Sequence, residues 1–504
     1  MKQIYSDFSG GLTLNDRQGE NNQFYIGRDV DIYRVKGCLV NARAPYNITI
    51  ANTDFLDITP DITPNQAQSF AFGNNGRIYK IKSIDATPVI DTTFNSIGYD
   101  TVTDMTYAKG INYTISGTNY LMWVYKTLGR GVLGLASTAS WTPTKVYKAL
   151  SSGSHLGEAD IIEWQKNLWI TSGRYLDKYI GSSDTLTEGA FDLGDGWSST
   201  CLFTTQNYLG TFATKKGVVL ATTSTLNYEC RVYLIDDSSA TDAVTIIPLS
   251  GINKVYACVN INGNIYFLAD GRKSAHLLCQ LTDNGYKIVR NLEGDINEVF
   301  TKFSVPPFAS GIAVNFNKIF FGIGNYVMVF CYDPEKDILT LISTPNTIDA
   351  TIRQGYVSTI KPFTRNSMFV SYYDSATKKL CALPFEGDPA YEPSNSTNAN
   401  WKPPYKDFGQ KVILNYIKVY FRPLISGDIG TVSINTNYGT SNTIQPNGGV
   451  ISQAIDDPSV VGKVTSKKFD LGGIECDSFR PSISWNAGIA TITRVIIDYD
   501  FIND

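Results

Sequence analysis

The sequence predicts an all-β protein: a β-propeller of six or seven irregular blades followed by a C-terminal antiparallel β-sandwich. Three observations predict it. Short runs rich in Val, Ile, Thr, Tyr and Phe alternate with Gly, Asn and Asp clusters, the pattern of strands and turns. A turn–strand–return-strand unit recurs at roughly 30 to 50 residues, within the spacing of propeller blades. Composition then shifts between residues 388 and 406, and the strand-like runs beyond it lie closer together.

Residues 1–61 read as an N-terminal arm and closing strands. The first part holds the adjacent Gly10 and Gly11 and few apolar residues, so it reads either as an arm that reaches a neighbouring subunit or as a frayed terminus. Residues 62–388 read as the propeller. Asn75-Gly76-Arg77 leads into IYKI, Asn119 into YLMWVY, and Lys166-Asn167 into LWIT. Lys216-Gly217 precedes VVLATT, Asn262-Gly263-Asn264 precedes IYFLAD, Asn366-Ser367 precedes MFVSYYD, and Lys378-Lys379 precedes LCALPF. The clearest unit spans residues 317–343. KIFFGI is a strand, Gly324-Asn325 a tight turn, YVMVFCYD a strand, Pro334-Glu335-Lys336-Asp337 a turn and ILTLIS a strand. Proline presets φ in that second turn, and Asp333 before it is placed to bond the turn backbone. Blades packed on both faces need inner strands that are apolar on both sides, and radial closure leaves only short edges.

Residues 389–406 read as a linker rich in Pro, Asn and Ser. Residues 407–504 read as the sandwich, from NYIKVYFRPL, GTVSINTNY, VTSKKFDLG, RPSISWNA and ITRVIIDYDF.

Composition excludes several functions. At 43% apolar and 18% charged, against about 25% charged in ordinary proteins, the chain is not disordered. Its net charge of −4 offers no basic excess for a dedicated nucleic-acid binder. His155 and His276 are its only histidines, too few for a histidine-built zinc site. The eight cysteines include no CxxC pair, and Cys258 and Cys331 in apolar runs read as buried free thiols. Gly129-Arg130-Gly131-Val132-Leu133-Gly134 satisfies GxGxxG, but no helical pattern follows it, so it reads as a glycine loop. Asp177, Asp270, Asp283, Asp333 and Asp374 read as turn residues serving backbone hydrogen bonds. The expectation is therefore a non-enzymatic chain with no cofactor and no metal. The start MKQIYSDFSGG lacks a signal-peptide apolar region, and no apolar run is long enough for a membrane helix, so synthesis in a cytoplasm without membrane insertion is expected.

Two stretches carry a resemblance. Phe8-Ser9-Gly10-Gly11-Leu12 is followed by Arg28-Asp29-Val30-Asp31-Ile32, Gly37-Cys38-Leu39 and Arg43-Ala44-Pro45. This resembles the opening of tailed-bacteriophage virion proteins. Trp401-Lys402-Pro403-Pro404-Tyr405-Lys406-Asp407-Phe408-Gly409 is similar to the segment by which such proteins pass from propeller to sandwich. The resemblance implies a structural component of the virion tail, a hub or nozzle ring of six copies below portal and adaptor. It implies contacts with those rings and other tail proteins, assembly in the host cytoplasm, and passage of DNA without tight binding. The residues expected at subunit contacts are Phe8, Gly10, Gly11, Leu12, Arg28, Asp29, Trp401, Tyr405 and Phe408. The rival expectation is a receptor-binding protein that grips, and in one version depolymerises, host glycan, which clustered Trp and Asp on one blade face would favour.

Overall fold

In a computed structural model, the terminal parts of the chain are described at residues 1–11, 22–23, 26–28, 30–32, 37–41, 399–421, 429–436, 440–442, 465–486 and 491–502. The central part is described at 46–48, 55–60, 68–73, 75, 77–82, 89–95, 107–127, 130–137, 143–148, 160–216, 228–236, 245–272, 276–292, 310–315, 317–322, 329–343, 355–364, 367–374 and 377–384. The described elements are all strands. They fall into two compact units: residues 46–327 with 350–382, and residues 1–45 with 328–349 and 383–504.

The first unit, with Val329–Asp333 and Ile338–Ser343 of the other, makes up a seven-bladed propeller. Seven four-stranded antiparallel sheets follow one another along the chain. Their first strands are Phe55–Pro60, Tyr107–Ile115, Ile161–Trp164, Trp197–Thr204, Ile252–Ile261, Ser310–Asn315 and Gly355–Thr364. Each first strand touches the first strand of the next sheet, and the seventh touches the first, so these strands ring a central axis. The seventh blade borrows its outer strand from upstream: Tyr46–Ile48 pairs with Leu380–Ala382. The propeller thus begins at residue 46, not 62, because a closing strand from before the first blade completes the last.

Inner blade strands are apolar on both faces, as expected of a sheet packed on both sides, whereas outer strands such as Thr185–Asp192 are largely exposed. In the second blade Leu121, Met122, Trp123, Val124 and Tyr125 are all buried. The cores lie between consecutive blades; one joins Met122, Val124 and Leu133 to Leu168, Ile170 and Tyr179. Tyrosine hydroxyls stitch the same seams. Tyr125 Oη is shared between the carbonyls of Gly73 and Arg77, 3.2 Å from each, and Tyr113 Oη donates to Lys166 O at 2.5 Å.

Two readings need correction here. Gly131 and Gly134 lie in the strand Arg130–Ser137, not in a loop. Position 134 is glycine because the Trp123 indole lies against it, where a Cβ would collide. Asp177 and Asp270 are strand residues, not turn residues; Asp177 is buried and accepts from the Gly189 amide at 2.7 Å and from Ser172 Oγ. Asp333 does cap its turn, accepting from the amides of Glu335 and Lys336 at 3.1 and 3.3 Å. The Gly324-Asn325 turn, the VVLATT run and His155 lie outside the described residues.

The second unit is a sandwich built from one continuous ten-stranded sheet around a single core. Along the sheet the order is Ile26–Arg28, Ala399–Lys402, Thr465–Asn486, Lys406–Phe421, Thr491–Phe501, Leu39–Asn41 and Val30–Asp31. Lys2–Tyr5 pairs with Thr491–Phe501, and Ile429–Thr436 with the second half of Thr465–Asn486. Alternation sets the inside: Ile417, Val419 and Phe421 are buried, while Tyr416, Lys418 and Tyr420 face the other way and stay partly exposed. VTSKKFDLG and RPSISWNA, expected as two strands, are one strand of 22 residues. Gly472 and Gly473, with φ of 65° and 76°, form a bulge within it, where Leu414 faces Ile474 but Tyr416 faces Asp470. The expected linker ends early, because Ala399–Lys402 is a strand of this sheet. The N-terminal strands also belong to it.

Candidate functional site

The two resemblance-bearing stretches meet in the second unit. Lys2–Tyr5 runs antiparallel to Thr491–Phe501, with Lys2 opposite Asp498 and Tyr5 opposite Val495. The chain then turns, with Ser9 N donating to Asp7 Oδ1 at 3.0 Å. This turn brings Phe8 onto Trp401. The Tyr5 and Phe8 rings each stand edge-on to the indole at 5.4 Å, the favoured aromatic geometry. Backbone pairing completes the junction: Gly27 lies opposite Trp401 and Arg28 opposite Asn400.

The glycines have local reasons. Gly10 N donates to Asn22 O at 3.0 Å. Gly11 adopts φ +73°, and a Cβ there would collide with Ile338 and lie 2.8 Å from Leu339 O. Tyr405 is buried beneath the Arg480 guanidinium, 4.2 Å from its ring centroid. Phe408 packs among Phe479, Tyr499 and Phe501 at 5.5, 4.6 and 5.8 Å.

These placements correct the expectation that the first residues form an arm held out to a neighbour. Phe8, Trp401 and Tyr405 are buried in their own chain, because an aromatic that closes a core leaves no face for a partner. Gly10 and Gly11 serve a packed turn. Arg28 lies in a strand of the sheet, and Leu12 and Asp29 lie outside the described residues.

A second constellation surrounds the propeller axis, and sequence reading missed it. Asp57, fully buried in the first blade, accepts from the Gly110 amide of the second blade at 2.9 Å and from Thr359 Oγ1 of the seventh at 3.0 Å. Lys361 Nζ lies 3.9 Å from its Oδ1. Asp160, at the start of the third blade, accepts from the Leu202 amide of the fourth at 2.7 Å and from Ile161 N at 3.0 Å. Burial pushes the Asp160 carboxyl above its ordinary range, opposed chiefly by the nearby Lys109. Burial likewise lowers the Lys361 ammonium, opposed by Asp57 and reinforced by Lys109. The two carboxylates therefore act as clasps between first strands, in balance with two lysines.

The buried thiol expected at Cys331 is found; Cys230 and Cys279 are buried as well, and burial pushes them up to about 11 and about 12. Cys258 is only half-buried; its Sγ reaches Leu202 O at 3.3 Å. His276 is buried, and burial lowers its imidazole to about 4.

No protein-family model and no curated protein sequence matches the chain. Among solved structures, it is similar over 69% of its length to Raptor from Chaetomium thermophilum, with 11% identity and a TM-score of 0.48. The match spans 30% of the Raptor chain. Extracellular domains 1–2 of Drosophila Semaphorin 1a match at 10% identity and a TM-score of 0.43, covering 69% of this chain and 88% of that one. YCF48 from Cyanidioschyzon merolae matches at 11% and 0.45, covering 68% and 99%. Similarities of this size carry no function across.

Proposed function

We propose that the chain is a structural subunit of a bacteriophage tail, a hub or nozzle that repeats around the tail axis and conducts DNA. The observation that carries this reading is the contact between Phe8 and Trp401. It joins the two separate stretches that resemble phage tail proteins, one at each end of the chain, into a single structural element. Their meeting supports reading the two motifs together. The balanced charges at the propeller axis and the net charge of −4 suit a particle past which phosphates must slide without being held.

The rival glycan reading expected clustered tryptophans on a blade face. The described tryptophans, Trp123, Trp164, Trp169, Trp197, Trp401 and Trp485, are all buried, so the structural reading is preferred. The test is electron microscopy of the purified full chain, with mass spectrometry of virions from the phage that encodes it. Rings in the first and the chain's peptides in the second are expected. A chain that stays monomeric and is missing from virions overturns the reading.

A further inference from the structure

The outward face of the terminal sheet carries an arrangement that its own fold does not explain. Lys418 on Lys406–Phe421 lies directly opposite Lys468 on Thr465–Asn486. Like charges in direct cross-strand register destabilise a sheet, so this pair costs the isolated chain stability. On its other side Lys418 faces Ile496, which in turn faces Ile4 on the first strand; Ile4 is 46% exposed. Two tyrosines hold the cations in place. Lys468 Nζ lies 4.1 Å from the Tyr416 ring centroid, and Lys418 Nζ lies 4.8 Å from that of Tyr420, which Arg494 also covers at 5.6 Å. Among the described residues none of these three cations has a carboxylate partner within ion-pair distance. Three cations without an ion-pair partner, set around the exposed Ile4 and the half-buried Ile496, form a surface suited to a partner.

The occupant follows from charge. A continuous phosphate backbone is disfavoured, because Asp470 and Asp498 flank Tyr416 in the adjoining row. Mixed signs around an apolar pair suit a protein surface. The whole chain is net −4, and with these cations set aside the remainder is more acidic still. A two-fold contact of this face with itself would set cations on cations. We propose that this face, centred on Lys418 and Lys468, binds an acidic surface elsewhere on a second copy of the chain, in a head-to-tail contact. Such heterologous contacts close into rings or run on as filaments. The inference rests on the ring reading above and specifies the face that builds the ring.

The test uses the full chain, with native mass spectrometry and sizing by light scattering. In Lys468→Glu the direct pair becomes Lys opposite Glu. Its melting temperature is expected to equal or exceed that of the unaltered chain, while subunit association weakens at least tenfold. Lys287→Glu, an exposed charge reversal on the fifth blade, is expected to leave association unchanged. Rings that persist in both Lys468→Glu and Lys418→Glu overturn the inference and leave the tail reading standing. An unaltered chain that never associates overturns the tail reading, and this inference with it. Binding of a short duplex DNA that is lost in Lys468→Glu while rings stay intact assigns the face to phosphate and overturns the inference.

Discussion

Thr359 Oγ1 in the seventh blade donates to Asp57 Oδ1 in the first, across 3.0 Å, although 302 residues separate them along the chain. This bond crosses the seam where the ring of blades closes. Gly110 of the second blade and Lys361 of the seventh converge on the same carboxylate.

Replacing Asp57 with Ala leaves a buried amide and hydroxyl unsatisfied and Lys361 without its counter-charge. Removing one partner of such a buried group costs about 3 kcal/mol or more. Urea unfolding of Asp57→Ala should show that loss, with Asp57→Asn recovering part of it. A loss below about 1 kcal/mol would mean that the seam is held by apolar packing alone.

His276 gives the propeller an acid-sensitive point. Its folded value of about 4 lies below the ordinary 6.5, so the unfolded chain binds the extra proton between those two pH values. Stability is fully present above pH 6.5, falls as pH drops towards 4, and loses about 3 kcal/mol from this group. His276 has φ 65°, which asparagine tolerates. His276→Asn should flatten the fall in melting temperature over this window, and an unchanged profile would assign the acid response to other groups.

Trp401→Ala removes the ring on which Tyr5 and Phe8 stand and should cost about 3–5 kcal/mol. A double-mutant cycle with Phe8→Ala should return a coupling of about 0.5–1.5 kcal/mol, the worth of an edge-on aromatic pair. Zero coupling would mean that the two residues matter only through separate neighbours.

Gly11→Ala meets two obstacles: a left-handed backbone and the nearby Leu339 carbonyl. Its cost should exceed the roughly 1 kcal/mol of an ordinary glycine substitution. Hydrogen exchange should rise at residues 338–341 as the turn pulls away. A neutral Gly11→Ala would show that the turn shifts freely.

What could be read from the sequence was local. The turn that follows Asp333 was legible because proline, aspartate and the flanking apolar runs all act within a few residues. Asp57 was not, since a carboxylate inside FLDITP acquires meaning only from Thr359 and Gly110 on other blades. VTSKKFDLG and RPSISWNA read as separate strands, whereas Gly472 and Gly473 only bulge a strand that continues on both sides. Phe8 and Trp401, beside glycines and prolines, looked like exposed contacts. Their burial depends on pairing between opposite ends of the chain, which leaves no local trace.

That same wiring sets a timetable for synthesis. The strand Tyr46–Ile48 completes the seventh blade only after Leu380–Ala382 has been made, and Lys2–Tyr5 finds its partner only after residues 495–498. At about 5–20 residues per second, the earliest strands wait roughly a quarter of a minute to a minute and a half for partners. Neither unit can close on a ribosome-bound fragment, so a prematurely ended chain carries open seams that mark it as unfinished.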